Sequence, residues 1–130
     1  MKPLYVSKTF LPPLKEYQKY LKKLWKTHIL TGNEPEFGSL LERKLEKYWG
    51  VKHVITVASG TTALQIALKA LVIKDLHTSP FSFVATVAAP EWLGINLYFH
   101  DEFDEYDENK PVLATHVYGI PNLVKGQPVI

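Results

Sequence analysis

The sequence contains no cysteine, a single arginine (Arg43) and no long apolar run. The absence of cysteine excludes disulfide frameworks, zinc–thiolate sites and cysteine nucleophiles. The 15 basic and 13 acidic residues leave a net charge of only +2, which is weak grounds for a nucleic-acid or membrane partner. Lysines on the first predicted helix indicate a solvated face, and nucleic-acid binding is the weaker alternative because arginines are lacking. These lysines are Lys15, Lys19, Lys22 and Lys26.

The apolar residues are as abundant as in an ordinary globular protein. They make up 46% of the 130 residues, and aromatic residues make up 12%, which argues against disorder. The amino terminus has no apolar segment of the kind found in secretion signals. The longest weakly charged stretch, residues 78–90, is too short to cross a bilayer. We therefore expect a soluble, cytoplasmic protein.

The order of predicted elements is that of an α/β protein. Apolar residues at helical spacing predict helices over residues 12–26, 35–49, 61–72 and 82–93. β-Branched and apolar runs predict strands over residues 54–57, 76–78, 95–99 and 111–115, and residues 128–130 resemble the start of another. Residues 101–110 form an acidic loop, which we interpret as solvated. Strands alternating with helices predict three layers, a mainly parallel sheet with helices on both faces.

The most informative local feature is Ser59-Gly60-Thr61-Thr62, between a predicted strand and a predicted helix. A helix N-terminus exposes backbone N–H groups and the positive end of the helix dipole. Glycine allows an anion to approach the backbone, so the segment could hold a phosphate group. The alternative is an ordinary helix cap, for which serine and threonine are common. The glycine spacing matches neither a Walker loop nor a Rossmann fingerprint.

Two further segments follow predicted strands and should lie at the same sheet edge, where ligands usually bind. Residues 80–86 contain Phe81 and Phe83, of which one could stack on a flat ring, but the residue pattern by itself favours both as core residues. His116, in the sequence His-Val-Tyr-Gly, could be an acid–base group or a hydrogen-bonding partner. The other histidines show no metal-ligand spacing, and we assign no metal site.

The order of these motifs resembles the DegT/StrS family of nucleotide-sugar aminotransferases. The resemblance covers nearly the whole chain and depends on several motifs in the right order. They are Leu-Thr-Gly at residues 30–32, the helix end at 45–53, Ser-Gly-Thr-Thr-Ala-Leu at 59–64, Ser-Pro-Phe-Ser-Phe-Val-Ala-Thr at 79–86, Trp-x-Gly-Ile at 92–95 and His-Val-Tyr-Gly at 116–119.

The resemblance implies the large-domain fold of type I pyridoxal phosphate (PLP) aminotransferases, here in part. It implies that Gly60 and Thr61 bind the PLP phosphate and that Phe83 stacks on the pyridine ring. Less directly, it implies that other residues line the cofactor or sugar pocket. These are Ser59 and His116 for the cofactor, and Thr31, Gly32 and Tyr118 for the substrate, with Thr86 as a further lining residue.

The implied reaction is transfer of an amino group, usually from glutamate, to a keto sugar carried on a nucleotide. The resemblance further implies a homodimer, and a role in surface polysaccharide or antibiotic sugar synthesis. We divide the chain into residues 1–35, an amino-terminal helix and active-site loop, and residues 36–130, a partial PLP-binding domain.

The sequence departs from the family pattern at two essential positions. The family's aspartate against the pyridine nitrogen should directly follow a strand like residues 128–130, and its Schiff-base lysine lies further on. The chain stops before both, and we assign no catalytic lysine. Regions 71–79, 101–110 and 122–127 are shorter than usual. We therefore expect a truncated or reduced member, without transaminase activity by itself. The alternative is a catalytically inactive relic, a module that binds a phosphate ligand and needs a partner.

Overall fold

The structure, a computed structural model, describes residues 7–30, 36–101 and 109–121. Its helices are α1 (Leu14–Thr27), α2 (Glu36–Trp49), α3 (Gly60–Leu71) and α4 (Ala85–Trp92), and its strands are β1 (Asp75–Thr78), β2 (Asn96–Phe99) and β3 (Val112–Leu113). A short 3₁₀ turn spans Val117–Gly119. The chain divides into two compact units, Met1–Thr56 and Val57–Ile130. Our division of the sequence after residue 35 separates expected functional roles rather than compact units, and it stays a prediction.

The first unit contains the two predicted amphipathic helices. Helix α1 starts after Pro13, which lacks the N–H that a helix interior requires. It ends at His28, which adopts a left-handed conformation with φ of 57°. The ring of Tyr20 on α1 meets the ring of Phe37 on α2 edge-on, with centroids 5.7 Å apart. Lys23 places its ammonium 5.7 Å from the Phe37 centroid, so one aromatic ring organises the contact between α1 and α2.

The prediction of a strand over residues 54–57 is wrong. These residues pair with no strand in the described part of the chain. The Glu42 carboxylate on α2 accepts hydrogen bonds from the Thr56 N–H and hydroxyl at 2.9 Å each. The Glu46 carboxylate accepts from the Val54 N–H at 3.3 Å. Because α2 side chains already take these donors, the β-branched run needs no ladder to satisfy them.

The second unit contains a three-stranded sheet of order β2-β1-β3 in which both pairings are parallel. Strand β1 is central, and its register pairs Leu76 with Leu97 and Thr78 with Leu113. The outer strands β2 and β3 have four and two residues, and both are shorter than predicted. The three strands predicted within the described residues of this unit, at 76–78, 95–99 and 111–115, are confirmed, and they are parallel.

One face of the sheet carries the hydrophobic core. Leu76 is fully buried there, and it clusters with Leu68 of α3, with Ile95 and with Leu113. Full burial of a leucine contributes about 1.5–3 kcal/mol. Leu64 of α3 packs against the same cluster, so α3 lies along the sheet. Because only three residues connect α3 to β1, the helix runs antiparallel to the strand.

Several sequence-based predictions lie outside the described residues. They are the Thr31 and Gly32 loop, most of the acidic loop, residues 122–127 and the strand at residues 128–130. Within the ranges that are described, none of the helices has the length and apolarity needed to span a bilayer.

Replacing Glu42 with glutamine is expected to make the protein less stable at neutral pH. The hydrogen bonds from Thr56, backbone first, hold the pKa of the Glu42 carboxyl below its ordinary value. A lowered folded-state pKa stabilises the protein above the ordinary glutamate pKa, and this stabilisation is lost as the pH falls through the folded value. Urea unfolding of Glu42→Gln and wild type should therefore differ at pH 7 and converge in acid. Glu91→Gln removes the same charge from an exposed site and should show no such convergence.

Replacing Val72 with glycine is expected to stabilise the protein by up to about 1 kcal/mol. Val72 ends α3 with φ of 54°, a conformation that costs a side-chain-bearing residue about 1–2 kcal/mol. Glycine removes that cost, but its greater freedom in the unfolded chain destabilises the folded protein by about 0.4–1 kcal/mol. The matched control is Val84→Gly, where φ is −51° and only the entropy change remains. Equal losses of unfolding free energy in both variants, measured by urea unfolding, would contradict the assignment of strain to Val72.

Candidate functional site

The predicted phosphate cradle is the N-terminus of α3. Ser59 is the N-cap, and its Oγ accepts a hydrogen bond from the Thr62 N–H at 3.2 Å. The hydroxyls of Ser59 and Thr62 lie 3.0 Å apart. The cap satisfies the N–H of Thr62, and helix geometry leaves those of Gly60 and Thr61 directed beyond the helix end. The segment therefore behaves as an ordinary cap and still presents backbone donors to an anion.

The electrostatics and shape of this helix end favour an anion. The first turn of α3 contains no acidic residue, so no side chain of that turn neutralises the dipole charge, which amounts to about half an elementary charge. A Cβ atom placed on Gly60 would meet no atom within 4 Å. The space above the Gly60 backbone is thus open, as a phosphate cradle requires.

The segment after β1 is a turn built by serine hydroxyls. Ser79 is buried, and its Oγ accepts from the Phe81 N–H at 3.2 Å. The Ser82 hydroxyl donates to the Ser79 carbonyl at 3.3 Å. These bonds hold the chain out of helical geometry, so α4 begins at Ala85 rather than at the predicted residue 82.

The two phenylalanines of this turn are not core residues. The exposed fractions are 66% for Phe81 and 75% for Phe83. When such exposed aromatic rings contact an apolar or flat ligand, a large apolar surface is removed from water, which favours binding. This observation removes the core interpretation of Phe83, and its stacking role stays a prediction.

The segment after β3 carries the other predicted residues. His116 is exposed and precedes the 3₁₀ turn that contains Tyr118. Tyr118 has φ of 54°, in a region that disfavours residues other than glycine and costs of order 1–3 kcal/mol. The Tyr118 ring lies 6.4 Å from that of Phe81, tilted by 59°. The strained backbone thus places the tyrosine against the turn that follows β1.

The topology brings these segments to one edge of the sheet. Strands β1 and β3 are parallel neighbours, and the Thr78 hydroxyl donates to the Leu113 carbonyl at 2.9 Å, which ties their carboxyl ends together. Helix α3 runs antiparallel to β1, so its N-terminus points toward the same edge. The predicted pocket residues Ser59, Gly60, Thr61, Phe83, His116 and Tyr118 all belong to segments at this edge, and their roles stay predictions.

The sequence analysis missed one close pair of side chains. His77 Nδ1 and His100 Nε2 lie 2.7 Å apart although 23 residues separate them in sequence. Strand register explains the contact, because His77 pairs with Tyr98 and a residue two positions further shares the same face. Alternation puts both side chains on one face of the sheet, but only the register of β1 on β2 brings them together, and the sequence does not give that register. No cluster of three or more metal-ligating side chains occurs among the residues with described structure.

Comparison with known proteins identifies relatives for most of the chain. The sequence profile of the DegT/DnrJ/EryC1/StrS aminotransferase family matches residues 14–119. A dTDP-4-amino-4,6-dideoxy-D-glucose transaminase of Escherichia coli is 37% identical over 92% of this chain and 36% of its own length. A UDP-N-acetyl-3-dehydro-alpha-D-glucosamine 3-aminotransferase of Acidithiobacillus ferrooxidans is 31% identical over 72% of this chain and 29% of its own. The chain spans about a third of the length of these curated relatives.

A solved structure shows the same fold. The X-ray structure of an aminotransferase from Psychrobacter cryohalolentis superposes with a TM-score of 0.71 at 17% identity. The match covers 92% of this chain and 33% of that chain. The fold is therefore a partial α/β aminotransferase domain, and the predicted fold class is confirmed.

Replacing Ser59 with alanine is expected to destabilise the protein by about 1 kcal/mol, the usual cost of losing a helix N-cap. Ser59→Asn keeps a capping oxygen and should remain near wild-type stability. Urea unfolding monitored by circular dichroism at 222 nm measures both variants. Equal stability of Ser59→Ala and wild type would show that the Ser59–Thr62 bonds contribute nothing.

Proposed function

Because the chain belongs to the DegT/DnrJ/EryC1/StrS aminotransferase family, we propose that it forms the phosphate- and ring-binding part of a PLP-dependent nucleotide-sugar aminotransferase. The amino group would pass from a donor, by family resemblance glutamate, to a keto sugar carried on a nucleotide. The observation that carries the proposal is the open, acid-free N-terminus of α3 at the carboxyl edge of a parallel sheet.

The cofactor phosphate fits the N-terminus of α3. The N–H groups of Gly60 and Thr61 would donate to the phosphate oxygens, and the open space above Gly60 would admit them. Hydrogen bonds to a charged group contribute about 1.5–3 kcal/mol each. Ser59 would hold this geometry through its bond to the Thr62 N–H and could donate its own hydroxyl proton to the anion.

The aromatic residues of the same edge fit a flat ring. Phe83 is exposed and would cover one face of the pyridine ring. Tyr118 and Phe81 form a pair beside it that would line the substrate side, and His116 would donate to a polar group of the cofactor. When bound, PLP would supply an electron sink that makes removal of the substrate α-proton feasible.

The substrate proposal follows the names of the relatives. The E. coli protein is a transaminase of a dTDP-linked amino sugar, and the A. ferrooxidans protein acts on a UDP-linked sugar. We propose a nucleotide-linked keto sugar for this chain on that basis. Thr31 and Gly32 as substrate contacts, a homodimer, a cytoplasmic location and a role in polysaccharide synthesis stay predictions of the family resemblance.

One observation favours a second candidate function, binding without turnover. The lysines in the described part of the second unit are Lys69 in the last turn of α3, Lys74 before β1 and Lys110 before β3. All three belong to segments at the amino edge of the sheet, opposite the cradle. A ring held near Phe83 would lie at the opposite edge from these three lysines, so the cradle residues would bind the cofactor without a covalent link to them.

The proposal predicts that PLP binds the chain and that Gly60→Asp reduces its affinity at least about tenfold, the equivalent of one lost charge-assisted bond. An aspartate at the start of α3 should itself stabilise the helix by about 0.3–1 kcal/mol, so a loss of binding cannot result from unfolding. Fluorescence titration with PLP measures the affinity. Gln65→Glu adds the same charge beyond the first turn and should bind as wild type does.

Pyridoxal and inorganic phosphate complete the test. Pyridoxal, which lacks the phosphate, should bind more weakly than PLP, and inorganic phosphate should compete with PLP. Equal affinity for PLP and pyridoxal would refute the cradle. Incubation with PLP, glutamate and dTDP-4-keto-6-deoxyglucose, followed by mass spectrometry of the sugar, tests for turnover. An aminated product would refute the expectation that the chain has no transaminase activity by itself.

A further inference from the structure

Helix α1 carries an uneven distribution of charge. Its 14 residues include five lysines and a single acidic residue, Glu16. With 3.6 residues per turn, four of these lysines fall within an arc of about 60° around the helix axis. This lysine row consists of Lys15, Lys19, Lys22 and Lys26, and all four are exposed. The net charge of the whole chain is only +2, because acidic residues elsewhere offset this local excess.

An apolar strip lies beside the lysine row. Its residues, Leu14, Tyr17 and Trp25, fall within an arc of about 80° around the helix axis. Their exposed fractions are 68%, 52% and 71%, and no residue of α1 is buried. Phe10 and Leu11, which directly precede the helix, are more exposed still. Large apolar side chains that lie together at a surface indicate a place of contact with another partner.

The contact of α1 with α2 leaves the apolar strip open. Tyr20 and Lys23 of α1 meet the Phe37 ring of α2. The helical repeat places these two residues on the side of α1 that is turned away from Leu14 and Trp25. Helix α2 therefore packs against one side of α1, and the strip and the lysine row remain exposed on the other sides.

We propose that α1 binds the surface of an anionic phospholipid bilayer. The apolar strip would enter the boundary between headgroups and acyl chains, and the lysine row would contact the lipid phosphates. Tyrosine and tryptophan suit this boundary because each ring has an apolar body and a polar tip. The helix is about 21 Å long, shorter than the bilayer's hydrocarbon core of about 30 Å. It would therefore lie in the plane of the interface.

An anionic bilayer accounts for both exposed features of α1. Each lysine near an anionic membrane strengthens binding about fivefold, and transfer of the apolar strip out of water adds to this gain. A nucleic-acid backbone would attract the same lysines but would leave the strip in water, so lipid is the better partner. The proposal is independent of the proposed function, because the phosphate cradle belongs to α3 in the second unit.

Co-sedimentation of the intact chain with lipid vesicles tests the proposal. The chain should bind vesicles of equal parts phosphatidylcholine and phosphatidylserine at least about tenfold more strongly than vesicles of phosphatidylcholine alone. The double variant Lys15→Gln with Lys22→Gln should bind the anionic vesicles at least about tenfold more weakly than wild type. Lys44→Gln with Lys47→Gln removes the same charge from exposed positions of α2 and should bind as wild type does. No binding of wild type, or equal losses in both double variants, would overturn the proposal.

Trp25→Gln tests the apolar strip separately. It should weaken binding to the anionic vesicles at least about fivefold, whereas Trp49→Gln, at an exposed position of α2, should not. In a variant that retains only Trp25, made by Trp49→Phe and Trp92→Phe, brominated acyl chains should quench the tryptophan fluorescence. Unchanged binding of Trp25→Gln, or no quenching, would show a purely electrostatic contact and overturn the proposal. A dimer in sedimentation equilibrium without lipid that Trp25→Gln dissociates would assign the strip to a second copy of the chain and overturn it as well.

Discussion

Parallel pairing of β1 with both of its neighbours is the constraint on which the second unit depends. It buries Leu76 completely and joins the ends of β1 and β3 through the Thr78 hydroxyl. Because the strands run in one direction, the turn after β1 and the turn after β3 meet at one edge, and Phe81 reaches Tyr118 there. The same pairing, on the other side of β1, brings His77 to His100. One sheet order therefore accounts for both contacts.

The elements that the sequence predicted well are those whose signal is local. Helices α1, α2 and α3 begin and end within two residues of their predicted bounds, because apolar spacing, Pro13 and the Ser59 cap act within a few residues. The strand prediction at residues 54–57 was wrong because β-branched composition reflects side-chain preference. It does not show which groups accept hydrogen bonds from the backbone N–H groups. Their acceptors are carboxylates of α2, and Glu42 lies 14 residues away in sequence.

The candidate site was predictable in its segments but not in its contacts. The sequence placed Phe83 and His116 after predicted strands and Ser59 at the start of a predicted helix. The parallel pairing of β1 with β3 brings the first two segments to one edge of the sheet, and the antiparallel direction of α3 brings Ser59 to the same edge. Phe81 rather than Phe83 meets Tyr118, because the serine bonds of the turn after β1 and the left-handed backbone at Tyr118 decide where those rings go. Such geometry depends on particular hydrogen bonds and backbone angles, which a pattern of residue types does not encode. The histidine pair was not predictable because it requires the register of β1 on β2.

The carboxylates of Glu42 and Glu46 also bear on how copies of the chain meet one another. They occupy the N–H groups of Thr56 and Val54, which are two residues apart, the spacing at which an added strand would bond. The run is β-branched, and Ile55 is 73% exposed, a composition typical of segments that assemble into intermolecular sheets. Charged groups beside such a segment oppose that assembly. The two glutamates therefore withhold the Thr56 and Val54 N–H groups from an added strand of another copy.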